Sequence, residues 1–363
     1  MNTALGELIR ETIRAHGPQS FAWFMRQALY HPEHGYYSSG RCAIGRYGDY
    51  FTNVSVGPLF GRLLAAQFAE IWEQFGRPDD FVIVEQGAHD GQFARDVLES
   101  LQKRVPEFFA AVRYRIVEPF PLLRERQLRI LELFRDKIEW RDWLQPFVGI
   151  HFSNELLDAM PARLINGEVE QFVDLEGDKF VFVEGPLRQG APASRLPRDE
   201  RSFNQAALDW IDSVAANLKR GYVITIDYGH SGAEFQGHVQ VRAQHRNLDS
   251  PFEQIGHADI TMHVDWPSIV ERAQENGLRV AGFTDQHHFL TGIISQFGDD
   301  DWGQSLLDDS FKAKRELQTL LHPEMLGRAF QVLALKKNVD LAAPNLAGFK
   351  FAPEPHSALR TAG

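Results

Sequence analysis

The chain has 363 residues, 44% hydrophobic and 24% charged, an ordinary globular composition long enough to bury a large core. Its formal net charge of −11 argues against a general nucleic-acid binder, because neutralising phosphates takes surplus Lys and Arg. A single cysteine, Cys42, excludes an intrachain disulfide framework and a Cys-rich zinc site, and no apolar run reaches the roughly 20 residues of a membrane helix.

The N-terminal "MNTALGELIRETIRAHG" mixes acids with its bases and spaces Leu5, Leu8, Ile9 and Ile13 for a helix, unlike a secretory signal or an acid-poor transit peptide; the expected compartment is the cytoplasm. A second helix is expected from Ser20, its N-cap, to Leu29. A turn-rich aromatic segment follows, His31 to Asn53, and then the helix "VGPLFGRLLAAQFAEIWEQFG", which Gly76 ends. From Phe81 apolar strands alternate with helix-length segments. Strands are expected at Phe81–Glu85, Tyr114–Pro119, "KIEW", the start of Val148–Pro161 and Tyr222–Gly229. Helices are expected at Gln92–Gln102, Leu122–Phe134 and Asn204–Leu218, with a short one closing Val148–Pro161. This pattern implies an α/β fold, a mostly parallel doubly wound sheet with helices on both faces.

Between the fourth and fifth strands, "PARLINGEVEQFVDLEGDKFVFVEG" reads as a β-meander with Asn-Gly and Glu-Gly-Asp turns. His230 to Asp265 reads as a polar insertion, followed by a helix at Pro267–Asn276 and strands in "LRVAGFTDQ" and "RAFQVLALKK". The organisation expected is an N-terminal extension over 1–78 and a main domain over 79–336, with insertions near 162–200 and 230–265. A loosely ordered tail is expected over 337–363.

The stretch "FVIVEQGAHDGQFARDVLESL" carries the strongest functional signal. A strand, a glycine turn and a helix make a nucleotide-binding crossover, yet Glu85 stands two residues before the first glycine. Like charges about 4 Å apart repel by roughly 4 kcal/mol at an effective dielectric of about 20, so Glu85 disfavours a pyrophosphate. S-adenosylmethionine carries an ammonium, a sulfonium and no phosphate. Gly87 and Gly91 would let backbone approach it, Glu85 would face its cationic end, and Glu118 at the end of the next strand could accept from both ribose hydroxyls. His89 reads as a turn residue that tolerates positive φ. The same motif also occurs as plain structure. The histidines lack the register of a metal site: His31 and His34 span a proline, and His287 and His288 would point to opposite faces of a strand.

The segments "HPEHGYY", "GRYGDYFTNVSVGPLFGRLLA", "VEQGAHDG", "SNELLDAMP", "IDYGH", "QHHFL" and "HPEMLGRAFQVLAL" occur in this order from about Ser20 to Lys336. Together they resemble the MidA-like family of S-adenosylmethionine-dependent methyltransferases, whose mitochondrial member is a protein arginine methyltransferase assisting respiratory complex I assembly. The resemblance implies a Rossmann-like class I methyltransferase fold, S-adenosyl-L-methionine as cofactor and an arginine side chain of a partner protein as acceptor. It departs from the family at the turn, where Glu-Leu-Gly-Pro-Gly-Arg-Gly is usual and His89 and Asp90 replace the middle glycine and the arginine.

Methylating a guanidinium requires acids that grip its fork and orient one nitrogen, since it has no acceptor lone pair of its own. Asn154, Glu155 and Asp158 follow the fourth strand, with Glu155 and Asp158 neighbours if the segment is helical. The expectation is that Glu155 orients the acceptor guanidinium and Asn154 lies nearer the methionine end; helix capping plus a surface acid pair is the plain alternative. The resemblance also places Asp49 and Thr52 near the amino-acid end of the cofactor, where a turn with Asp49 bonded to its own backbone is the alternative. Asp142, after the third strand, suits either an acceptor for the adenine amino group or a surface loop acid, and Ala88 lies in the turn. Asp227 and Tyr228 suit either the acceptor pocket or a buried structural pair. Competing readings are a weakened relative acting as an assembly factor, a small-molecule methyltransferase and a nicotinamide oxidoreductase, the last opposed by Glu85.

Overall fold

The computed structural model describes residues 3–42, 52–187, 201–230, 239–297, 311–340, 345–355 and 359. The chain divides into two compact units, one of Met1–Phe51, Leu157–Asp209 and Glu234–Asp265, the other of Thr52–Leu156, Trp210–Ala233 and Trp266–Gly363.

The second unit carries the large sheet. Its strands are β1 (Phe81–Gln86), β2 (Val112–Val117), β3 (Ile138–Arg141), β4 (Phe147–Asn154), β5 (Leu218–His230), β6 (Arg279–Asp285) and β7 (Phe330–Lys337). They hydrogen-bond in the order β3-β2-β1-β4-β5-β7-β6. Neighbours from β3 to β5 run parallel, and β7 is antiparallel to both β5 and β6. This confirms the mostly parallel sheet. Chain order reverses at β1, which lies between β2 and β4, so the crevice for a ligand opens beyond the carboxyl ends of these strands.

The helices that matter for this edge are α1 (Asn53–Val56), α2 (Leu59–Gln74), α3 (Gln92–Arg104), α4 (Pro121–Ile130), α5 (Gln286–Ile294) and α6 (Phe311–Leu321). Phe68 of α2, Phe93 of α3 and Phe152 of β4 meet in one core. Phe93 stacks on Phe152 at 4.4 Å and Phe68 meets it edge-on at 5.6 Å. Such ring pairs add about 0.5–1.5 kcal/mol each beyond the area they bury. Leu346 and Phe349, from the C-terminal segment, are buried in the same core.

At the opposite end of the sheet, Gly221 pairs with Gly149 and Gly149 with Val82. A Cβ at Gly149 (φ +141°) would lie 2.0 Å from the Val82 carbonyl oxygen, and one at Gly221 (φ +148°) 1.8 Å from that of Gly149. Only glycine fits at either position.

The first unit contains helices Ala4–His16 and Phe21–Tyr30, N-capped by Thr3 and Ser20. The expected meander forms as antiparallel strands Arg163–Asn166, Val169–Glu176 and Lys179–Pro186, with Arg201–Phe203 on one side. Leu5, Ile9, Phe21, Phe24, Leu164 and Val173 share its core.

Within the polar 230–265 insertion, Val239–Ala243 pairs with Arg246–Asn247 and Asp259–Met262, burying Val241, Ile260 and Met262. Two expectations are corrected. "QHHFL" belongs to α5, not to a strand, because Asp285 caps it by accepting from the His288 N–H at 2.9 Å. The residues after Asn154 form a turn rather than a helix, so Glu155 and Asp158 are not helical neighbours.

Candidate functional site

β1 delivers Glu85 and Gln86 to the carboxyl edge of the sheet. Glu85 is buried, and its Oε2 accepts from the Tyr114 hydroxyl at 2.7 Å. Burial drives its pKa up to about 8, against the lowering effect of that hydrogen bond and with a further push from Asp90. Gln86 Oε1 accepts from Trp210 Nε1 at 3.0 Å and lies 2.8 Å from His151 Nε2. An indole can only donate, so this oxygen is fixed as an acceptor and His151 carries its proton on Nε2. Burial lowers the His151 pKa to about 3, which keeps the ring neutral.

The turn follows. Gly87, His89 and Gly91 take φ values of +80°, +47° and +90°, so His89 adopts the left-handed conformation expected of it. Ala88 is buried, and its carbonyl accepts from the Gly91 N–H at 2.8 Å. Asp90 Oδ1 accepts from the Gln92 N–H at 3.1 Å, filling the first turn of α3. Burial acts to raise the Asp90 pKa, but the hydrogen bond and charge of His89 and the bond from Gln92 outweigh it and leave it lowered.

Glu118, just past β2, is buried. Its Oε1 accepts from the Phe120 N–H at 3.0 Å and its Oε2 from Gln127 Nε2 at 3.2 Å. Desolvation raises its pKa, opposed by these two bonds and by Arg124. Arg124 of α4 donates to the Glu118 carbonyl and to Asp142 Oδ1, each at 2.5 Å. Asp142 is exposed and joins Glu118 through this arginine.

The third group lies after β4. Glu155 has φ +53°, a left-handed conformation that costs a non-glycine residue of order 1–3 kcal/mol. Its N–H donates to the Ile226 carbonyl at 2.9 Å, and the Leu156 N–H donates to Asp227 Oδ2 at 3.0 Å. The end of β5 therefore shapes the turn. Glu155 Oε1 accepts from Asn154 Nδ2 at 2.8 Å and from the Asn53 N–H at 3.4 Å. Asn53 Nδ2 donates to Asn154 Oδ1 at 2.9 Å. Thr52 caps α1 in a reciprocal box with Ser55 and so presents Asn53.

Glu155, Asn154 and Thr52 are thus brought together, as are Glu118, Asp142 and the glycine turn. Asp158 lies in the first unit, buried, with its carbonyl accepting from the Met262 N–H at 2.9 Å. Asp49 lies outside the described residues. Three contributors were not singled out from the sequence: Asn53, Gln127 and Trp140. Nothing within a turn or two of the chain marks them, since Asn53 meets Asn154 101 residues on, Gln127 meets Glu118 and His89 at separations of 9 and 38, and Trp140 meets Gln127 at 13.

The chain matches, over residues 63–284, the model of a family described as "Putative S-adenosyl-L-methionine-dependent methyltransferase". It is 26% identical over 378 residues to the Drosophila melanogaster homolog of the mitochondrial protein arginine methyltransferase NDUFAF7, spanning 92% of this chain and 84% of that one. The Homo sapiens protein arginine methyltransferase NDUFAF7 is 27% identical, with 89% and 81% covered. A crystal structure from Burkholderia thailandensis, bound to S-adenosyl-homocysteine, superposes with a TM-score of 0.85 at 28% identity. That match covers 98% of this chain and 96% of the other. A family match across both halves of the sheet, a strand order with an antiparallel β7 between β5 and β6, and acids at the ends of β1 and β2 agree. The chain belongs to the MidA-like family of S-adenosyl-L-methionine-dependent methyltransferases.

Proposed function

We propose that this protein transfers a methyl group from S-adenosyl-L-methionine to an arginine side-chain nitrogen of a partner protein. The observation that carries the reading is Glu155, an acid held in a strained turn beyond β4 by Asn53, Asn154 and the end of β5. The names of the relatives, protein arginine methyltransferases, support the acceptor class.

The residues present fit the cofactor. Gly87 and Gly91 hold φ values of +80° and +90° that side chains rarely adopt, and a Cβ at Gly91 would press on Leu131 Cδ1 at 3.1 Å. Among the described residues each Glu118 oxygen accepts one protein hydrogen bond, leaving acceptor capacity that matches two vicinal ribose hydroxyls. Asn53 is fully buried, and its Oδ1 has no hydrogen-bond partner among the described residues, an acceptor suited to an ammonium or guanidinium.

In this reading the turn Gly87–Ala88–Gly91 and Glu118 hold the nucleoside end, and Asp142 accepts from the adenine amino group. Glu85 and Thr52 serve the methionine end, with Asn154 between it and the acceptor. When bound, the cofactor supplies an electrophilic methyl group. Glu155 takes the hydrogen bonds of the guanidinium fork, draws its positive charge toward the carboxylate and turns one nitrogen outward for in-line attack. The N–C bond would form as the S–CH3 bond breaks to leave a neutral thioether, and the proton released from the nitrogen would pass to the Glu155 carboxylate.

Incubating the purified protein with cell extract and a methyl-labelled donor, then locating the label by mass spectrometry, tests this. Methylarginine in a protein is the expected product. Label confined to small molecules would overturn the acceptor assignment.

A further inference from the structure

We infer that Gln127 is a positioning residue for cofactor binding, holding the Glu118 carboxylate and the glycine turn in register, with its own amide oriented by the indole of Trp140. The inference rests on the reading of Glu118 as the acceptor for the ribose.

The hydrogen bonds leave one assignment for the amide. Trp140 Nε1 lies 2.9 Å from Gln127 Oε1, and an indole N–H only donates, so the oxygen of Gln127 must face it. The amide nitrogen then faces the other way with two hydrogens. It uses one on the His89 carbonyl at 2.9 Å and one on Glu118 Oε2 at 3.2 Å. Both nitrogen hydrogens and one oxygen lone pair are thereby engaged. Gln127 has no exposed surface, so water cannot replace any of these partners.

The three partners come from separate elements. His89 lies in the turn after β1, Glu118 follows β2, and Trp140 belongs to β3. Gln127, on α4, ties the ends of three adjacent strands through one side chain. A Glu118 carboxylate free to rotate would offer its lone pairs in no fixed direction. With Oε1 held by the Phe120 N–H and Oε2 by Gln127, the remaining acceptor directions are set before any ligand arrives. The bond to the His89 carbonyl fixes the neighbouring peptide of the turn in the same step.

Calorimetry with S-adenosylhomocysteine and with its 2′,3′-dideoxy analogue, on the full chain, tests the relay. Gln127→Leu should bind S-adenosylhomocysteine about tenfold more weakly than the parent protein, the loss of roughly one hydrogen bond to a charged group. For the dideoxy analogue, which has no ribose hydroxyl for Glu118 to receive, parent and variant should agree within about twofold. Trp140→Phe keeps an aromatic side chain, though a smaller one, and deletes the donor; it should shift affinity in the same direction, again only for the ligand with hydroxyls. Equal losses for both ligands, or no loss in either variant, would overturn the relay while leaving the cofactor reading intact. A parent protein that binds neither ligand would overturn both.

Discussion

The Leu156 N–H donates to the buried carboxylate of Asp227 at 3.0 Å, tying the residue that follows Glu155 to the end of β5. The other oxygen of Asp227 accepts from the Tyr228 N–H at 2.8 Å. Asn in place of Asp presents an amide nitrogen to one of these two donors. Asp227→Asn should therefore lower stability by about 1–3 kcal/mol, seen as a lower denaturant midpoint, because a buried donor is left without its acceptor. The same variant should lose methyl transfer more than it loses S-adenosylhomocysteine binding, since the turn it shapes carries Glu155.

Glu155→Gln keeps the size of the side chain and an oxygen for Asn53 and Asn154 while removing the charge that a guanidinium fork seeks. Turnover on an identified protein acceptor should fall by about 10²-fold, the scale expected when a reacting nitrogen is no longer held in line. Cofactor affinity measured by calorimetry should stay within about threefold of the parent. Unchanged turnover would remove Glu155 from its proposed role.

Glu85 gives a pH dependence with a definite sign. Its folded pKa, about 8, lies above the ordinary carboxyl value of 4.5. Between these values the folded protein holds a proton that the unfolded chain has released, so this group's contribution to stability falls as pH rises through that window and levels off above it. Glu85→Gln keeps an acceptor for the Tyr114 hydroxyl and removes the titration. The parent and variant should converge in stability near pH 4 and separate progressively toward pH 8, with the variant the more stable, as read by melting temperature across pH. Binding of a cationic methyl donor near this carboxyl should also release a proton at neutral pH, visible as a dependence of the calorimetric heat on buffer ionisation enthalpy.

His89→Gly restores the glycine usual in the family. Relief of a left-handed conformation at φ +47° favours the variant, while the added freedom of the unfolded chain opposes it. Stability should change by less than about 1 kcal/mol. The carbonyl that receives Gln127 is retained, so S-adenosylhomocysteine affinity should be nearly unchanged. A large loss would show that the imidazole itself matters for binding.

The sheet was legible in the sequence because its central strands are buried on both faces and read as apolar runs such as Phe81–Val84 and Tyr222–Ile226. Acids ending such runs, Glu85 and Glu118, stand out for the same reason. Glu155 was visible only as a residue after a strand. Its spacing from Asp158 suited a helix, and what prevents one is that the Glu155 and Leu156 N–H groups donate to Ile226 and Asp227 of β5, about 70 residues downstream, which leaves no local mark. Val239–Ala243 was hidden differently: its apolar residues alternate with Gln240 and Arg242, a half-buried strand that overall polarity disguises as loop. The α5 cap was readable in principle, since Asp285 stands three residues before His288 at the start of an apolar stretch.

Gly149 and Gly221 lie at the amino-terminal side of their strands, away from every acid discussed above, yet neither tolerates a single added methyl. A genetic screen for loss of methylation would return substitutions at these two positions alongside those at Glu155. The two classes separate by abundance: the glycine variants should disappear from the soluble fraction, whereas Glu155 variants accumulate normally and fail only in the assay.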